Sequence, residues 1–257
     1  MSLEVRSLFG VGGWRAFPTV HRRRFGVPEG GPWDREAARL ALALGGLSES
    51  EPVFELLHGT VEMSASEQCE VCVVGTDGKI EAGGKVYPLG VRLPLEPGEV
   101  VKVEARCAYI SASNLRTDFA KLDWRPELPE TLRYLPLDET GEMEVTVSPA
   151  FSRAGVRLVG LGPSGKPERP SEPCCVGAIQ QTPGGELILI GPDGPTIGGY
   201  PRLGAVINAD LDLITRLRIG QQLRLLPVVW EEARMAEKIS RERLAGIVRQ
   251  LVVVGKG

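Results

Sequence analysis

The chain has 257 residues, of which 42% are hydrophobic and 25% charged, with a net charge of −3. That length and composition can bury a full core in one large or two small domains. The slight acidity argues against nucleic acid or an anionic membrane surface as the main partner, and no apolar run is long enough to span a bilayer. With no signal-peptide pattern either, a soluble, cytoplasmic protein is expected.

In chain order, Leu3 to Phe9 is a predicted strand, followed by a glycine-rich turn at Gly10, Gly12 and Gly13. His21-Arg22-Arg23-Arg24 is the densest positive cluster. It fits either recognition of a carboxylate or other anion, since guanidinium forks suit carboxylates, or a solvated loop. Pro32-Trp33-Asp34 opens a helix over 34–45, with Asp34 as its cap, Glu36 in its first turn and Gly45-Gly46 as its stop.

From Glu62 to Ala112 short strands are expected at 71–74, 79–82, 85–87, 100–105 and 108–112. Asp77-Gly78, Gly83-Gly84 and Pro97-Gly98 punctuate them at roughly the 8–12 residue spacing of a small antiparallel barrel. The charged, proline-bearing stretch from Asn114 to Asp138 is the expected boundary, giving units 1–128 and 129–257. In the second half, Met143 to Val147, Val156 to Val159, Leu187 to Ile190, Ala205 to Ile207 and Gln222 to Val229 read as further strands, so a mainly antiparallel β fold is expected. A terminal helix over 231–251 follows, with Ala233, Ala236, Ile239, Leu244, Ile247 and Leu251 on one face and Glu237–Arg241 at i, i+4 spacing on the other.

Two motifs are set aside. Cys69-x-x-Cys72 resembles half a zinc site, but its residues fall on opposite faces of a strand and partner ligands are lacking, so reduced, buried thiols are expected and no metal. Gly160 to Lys166 satisfies GxGxxG and most of a phosphate-binding loop, yet Pro167, Pro170 and Pro173 forbid the helix that such loops require. No nucleotide site is therefore expected in this chain.

The densest stretch runs from Val176 to Gly220. Gly177-Ala178-Ile179-Gln180, Asp193, Thr196-x-Gly198-Gly199-Tyr200-Pro201 and Asp210-Leu211 resemble the allophanate hydrolase subunit 2 family. That group contains the C-type subunits of 5-oxoprolinase, kinase-inhibitor antagonists and the carboxyltransferase part of urea carboxylase. The likeness extends to Ser152-Arg153-x-Gly155-x-Arg157-Leu158-x-Gly160, Ser171-Glu172, Gly26-Val27-Pro28-x-x-Gly31-x-x-Asp34-x-x-Ala37 and Glu55. It implies two cyclophilin-like antiparallel β-barrels.

The likeness further points to Arg153, Arg157, Gln180, Thr196, Gly198, Gly199 and Tyr200 as substrate- or partner-binding residues, with Asp34, Glu55 and Asp210 beside them. It names no catalytic residue. Arg153 and Arg157 are suited to a carboxylate, Gln180 and Thr196 to an amide or ureido group. Arg153 and Arg157 bracket Gly155, which reads as a bend; residues four apart share a face of a straight strand, so both guanidiniums are expected on one side, and Arg153→Ala is expected to weaken binding while sparing the fold. The alternative for these residues is structural: Arg157 paired with a carboxylate, Gln180 satisfying a loop, Asp34 only a cap.

Two departures from the family pattern stand out. Ala41-Leu42 and Gly46-Leu47 stand where relatives carry Ala-Asn and Gly-Asn, and a long central insert is missing between Ser111-Ala112-Ser113-Asn114 and Thr131. The resemblance thus implies a C-type subunit of a 5-oxoprolinase-like complex, working with B-type and A-type partners that bind any ATP used. A non-catalytic regulator of a kinase-inhibitor-like B-type subunit is the alternative. Urea-carboxylase-type carboxyl transfer is a third option, without a biotin-bearing lysine segment here.

Overall fold

Strands do most of the work in this chain, and why some run longer than local signals suggest is visible in their partners. The computed structural model describes residues 2–18, 22–114, 120–122, 124, 126, 128–137, 140–162 and 170–254. By backbone contacts the chain forms two units. One comprises Met1–Phe17, Arg35–Pro126 and Arg243–Gly257; the other comprises Pro18–Asp34 and Glu127–Glu242. The sequence places a single cut at 128/129, whereas here each unit also takes a short segment from beyond the main crossing.

The first unit is a seven-stranded antiparallel sheet. Its strands are β1 (Leu3–Arg15), β2 (Val53–Ala65), β3 (Cys69–Ala82), β4 (Lys85–Pro88), β5 (Val91–Leu95), β6 (Val100–Ser113) and β7 (Ala120–Lys121), ordered β1-β2-β6-β3-β5-β7 with β4 on β3. The expected breaks inside them do not occur. Segments 100–105 and 108–112 are one strand because β6 is central and pairs along its length with β2 on one side and β3 on the other. Ladder bonds on both edges outweigh weak local signals.

The two turn predictions here also fail, for a shared reason. Gly10 is not a turn but a left-handed residue inside β1, at a register shift between Phe9 and Val11. Asp77-Gly78 does not reverse the chain. Thr76 pairs with Cys107 and Gly78 with Ala105, while Asp77 takes a φ of 49° and its carboxylate accepts from Arg106 Nε at 2.9 Å. On the other side of β6, His58 has a φ of 48° between Leu57 and Gly59, which pair with Cys107 and Ala105. A row of left-handed positions therefore crosses β1, β2 and β3, kinking the sheet without ending its strands.

One face of this sheet is apolar: Leu56, Val61, Met63, Val71, Val73, Val101, Val103 and Ile110 form its core. The other carries α1 (Arg35–Leu44), rich in Ala and Leu. Its end is a Schellman turn: Gly46 is left-handed, Leu47 N donates to Leu42 O at 2.9 Å and Gly46 N to Ala43 O at 3.0 Å. Leu42 is buried among these packing residues. Cys69 belongs to the apolar core and Cys72 to the side of Glu70 and Arg92, whose ion pair measures 3.0 Å. Burial pushes the Cys72 thiol up to about 12.

The second unit contains a closed barrel in the order β10-β13-β12-β15-β8-β16-β9. These are β8 (Thr131–Pro136), β9 (Met143–Ser152), β10 (Gly155–Val159), β12 (Ala178–Gln181), β13 (Leu187–Ile190), β15 (Arg202–Val206) and β16 (Gln222–Pro227); β11 (Glu172–Pro173) and β14 (Ile197–Gly198) form a separate ribbon. Alternate residues fill the inside: Leu132 and Tyr134, Val145 and Val147, Val156 and Leu158, Leu187 and Leu189, Leu223 and Leu225 are all buried. One pair, β8 with β16, is parallel in a barrel whose other pairs are antiparallel, which keeps the fold mainly antiparallel as expected; β16 follows the 3-10 segment Asn208–Arg216. That segment was not legible as a helix.

The terminal helix α2 spans Trp230–Val254, longer than the expected 231–251. Ala233 and Ala236 pack on Ile207, but Ile239, expected on the same face, is 58% exposed. The Glu237–Arg241 pair is present at 2.6 Å. Among the described residues no helix is long and apolar enough to cross a membrane.

Candidate functional site

A cavity of about 750 Å³ opens on the outer face of the barrel wall in the second unit. Its floor is a cross-strand row. Ile188 on β13 is flanked by Arg157 on β10 and Gln180 on β12, so the three side chains share one face, and Gly155 pairs with Ile190 in the next row. The alternation that sends Val156, Leu158, Ile179 and Leu189 inward sends Arg157 and Gln180 outward.

Two loops wall the cavity. The β9–β10 hairpin contributes Pro149, Phe151, Ser152 and Ala154, and the segment following Asp193 contributes Pro195, Gly198, Gly199 and Tyr200. That second loop is tied down by strand pairing and by arginine. Glu172 pairs with Gly198, Cys174 N donates to Thr196 O at 2.8 Å, and Arg202 donates to both Pro173 O and the Glu172 carboxylate. Arg23, from the positive cluster near the N-terminus, donates to Cys174 O and to Pro195 O at 2.8 Å. Its role here is to clamp two carbonyls; His21 lies outside the described residues.

Gln180 is 4% exposed although it sits on the outer face, because the glycine loop covers it. A Cβ at Gly198 would lie 2.5 Å from Gln180 Nε2 and 3.2 Å from Cys174 Sγ, so glycine lets the loop close over the amide in its present position. Gln180 Nε2 donates to Cys174 Sγ at 3.2 Å. Burial pushes the Cys174 thiol up, keeping it neutral.

The structure thus brings Arg157, Gln180, Gly198, Gly199 and Tyr200 to one cavity, with Thr196 buried just behind its wall. Arg153 stands apart. Gly155 is not a bend within one strand: Arg153 lies in the β9–β10 turn and Arg157 in β10. Arg153 is 6% exposed and forks onto Asp193 at 2.6 and 2.7 Å, with Nη2 also donating to Gly31 O. Arg157 is half exposed and paired with Glu186. Arg153 therefore holds the hairpin to the Asp193 turn, and the expectation that its truncation would spare the fold is corrected by this burial.

Asp34, Glu55 and Asp210 are all inside ion pairs or hydrogen bonds, and none of them lines the cavity. Asp34 is more than a helix cap: it accepts from Arg216 Nε at 2.7 Å and Nη2 at 3.1 Å, with both residues buried. Asp210 takes the backbone N–H of Arg133 at 2.8 Å and its guanidinium at 2.6 Å, bolting the 3-10 segment to β8. Glu55 accepts from Tyr109 at 2.9 Å. Reading the sequence missed Ser152, Phe151 and Ile188 as lining residues. The strand alternation held the signal for Ile188, which falls out of phase with Leu187 and Leu189. The nucleotide-like motif at 160–166 extends beyond the described residues.

The second unit is thus a β-barrel bearing an outer-face cavity lined by an arginine, a primary amide and a glycine-aromatic loop. The sequence matches the family model of the carboxyltransferase domain, subdomains A and B, over residues 25–111 and 136–227, and the chain belongs to that family. It is 23% identical over 266 residues to the C-type subunit of 5-oxoprolinase from Haemophilus influenzae, covering 82% of this chain and 86% of that one.

Among solved structures, TTHA0988 superposes with a TM-score of 0.77 at 22% identity, covering 88% of this chain and 56% of that one. The Kluyveromyces lactis urea carboxylase superposes with a TM-score of 0.78 at 18% identity, covering 95% of this chain and 29% of the larger protein. The chain spans about half of the first and under a third of the second, and at these identities the likeness shows the fold.

Proposed function

We propose that this chain is the C-type subunit of a 5-oxoprolinase-like complex, and that its cavity holds a small amide or ureido ligand, such as 5-oxoproline, during ATP-dependent ring opening to glutamate. The observation that carries this reading is the shared row Arg157–Ile188–Gln180 beneath the Gly198-Gly199-Tyr200 loop. It offers cationic donors at one side, a neutral amide at the other and an apolar floor between them, which suits a compact ligand bearing a carboxylate and an amide. The likeness to the C-type 5-oxoprolinase chain of Haemophilus influenzae supports it. ATP, in this reading, is bound by partner subunits of the B and A types, and no cofactor is held here.

The lining favours a second reading as well. Among the described residues lining the cavity, Arg157 and Tyr200 are the ionisable ones, and the carboxylate that meets this lining, Glu186, is engaged in the ion pair with Arg157. A cavity so equipped binds, and its chemistry must be completed by a partner; without one, the chain would act as a regulator of a B-type subunit.

Reconstitution separates the two. This chain alone, with ATP and 5-oxoproline, should release no glutamate, whereas the chain with its B- and A-type partners should. A complex that assembles but stays inactive would favour the regulator, and turnover by the single chain would overturn the proposal.

A further inference from the structure

We infer that Gln180 is a specificity-determining residue whose amide is oriented by Cys174 so that its Oε1 faces the cavity, which selects ligands presenting an N–H group there. The inference rests on the cavity's being the ligand site. Four observations carry it. Gln180 Nε2 donates to Cys174 Sγ at 3.2 Å, and Cys174 Sγ lies 3.7 Å from Glu172 O, a distance suited to the weak S–H donor. The thiol hydrogen is thereby directed at a carbonyl, leaving the sulfur to accept from the amide. Gly198 packs over Nε2 so closely that a Cβ there would sit 2.5 Å away, which shuts that nitrogen off from the cavity. The oxygen end of a side chain that lines the cavity is left to meet the ligand.

This arrangement has a direction. A ligand N–H, as in a lactam, an open amide or a ureido group, can donate to Oε1. A ring oxygen or carbonyl in the same place would oppose acceptor to acceptor, and a site built around such a pairing rejects the isostere. Arg157, on the far side of Ile188, supplies donors only, so an oxygen-rich group belongs at that end. The recognised class is therefore a compact molecule with N–H at one end and a carboxylate or carbonyl at the other, bound in one orientation. Cys174 touches no ligand in this scheme and is a positioning residue.

The test uses the full chain and two probes of nearly equal shape: 5-oxoproline, whose ring carries N–H, and 5-oxotetrahydrofuran-2-carboxylate, the lactone with oxygen in its place. Titration calorimetry should show the lactam bound at least tenfold more tightly. Cys174→Ala frees the amide to turn and should narrow that ratio to about threefold or less, while Cys174→Ser, whose hydroxyl still accepts from Nε2, should keep it. A structural role for Cys174 alone would shift both affinities together and leave the ratio unmoved, which would overturn its assignment, as would loss of the ratio in the serine variant. Equal binding of the two probes by the unaltered chain would overturn the inference while sparing the cavity as a site. Binding of neither probe would overturn the cavity reading and this inference with it.

Discussion

The face of the first unit beneath α1 and the cavity floor of the second unit are both outer faces of β-sheets, and both carry polar residues. Under α1 those residues are closed on one another. Glu70 pairs with Arg92, which also donates to Leu44 O at the helix end; Glu55 accepts from Tyr109, and Ser111 donates to Ala41 O. On the barrel, the outer face of β10, β13 and β12 is covered by loops that leave a cavity, and Gln180 is fastened at one end only. Polarity does not separate the two regions. What separates them is whether the polar side chains already have partners within the protein, since a buried group without a partner is costly and one facing a void is available to a ligand.

Breaking the closed face should have the largest effect. Arg92→Ala removes the guanidinium that pairs with the buried Glu70 carboxylate and should lower stability by about 3–5 kcal/mol in chemical denaturation. Should the loss be below about 1 kcal/mol, the α1 face is not closed as described. Arg153→Ala comes next. Its fork onto Asp193 is buried on the arginine side only, so a cost of about 1–3 kcal/mol is expected from the lost charge-assisted bonds, with weakened ligand binding as a secondary result of hairpin loosening.

Gly198→Ala sharpens the comparison from the cavity side. The added methyl must displace the Gln180 amide, and overpacking of this kind costs about 1–3 kcal/mol, while affinity for 5-oxoproline should fall at least tenfold. Arg157→Ala should cost under about 1 kcal/mol in stability, since its pair with Glu186 is half exposed on both sides, yet weaken binding of the carboxylate ligand about tenfold. Unchanged binding in that variant would remove Arg157 from the site.

The smallest effect concerns pH and lies in the kinked sheet. Partial desolvation at its base, with the Arg106 guanidinium adding to it, holds the imidazole of surface-lying His58 below its usual pKa near 6.5. The folded state then binds fewer protons than the unfolded state below that value, so stability falls as pH drops through about 6.5 toward the lowered pKa. His58→Asn keeps a residue that tolerates the left-handed backbone, and it should flatten this part of the melting-temperature profile. A profile that keeps its slope would assign the titration to another group.

The sequence by itself determined the mainly β class, both long helices to within a few residues, and the family, through glycine-bearing motifs whose backbone demands are local. It also named part of the cavity lining, Arg157, Gln180, Gly198, Gly199 and Tyr200, most of which lie within one readable stretch. What it could not supply was partnership. Whether Asp77-Gly78 reverses the chain or only kinks a strand depended on β6 and Arg106 lying alongside. Arg153 and Arg157, two residues of one type four positions apart, were given different tasks by the β9–β10 turn, which sent the first to Asp193 and left the second beside Ile188 and the cavity. Asp34 met Arg216, and Glu70 met Arg92, across separations no local pattern encodes. Residue types and periodicity set what each side chain is able to do; register and chain crossing set what it meets, and burial together with pairing then decides whether it holds the fold or faces a ligand.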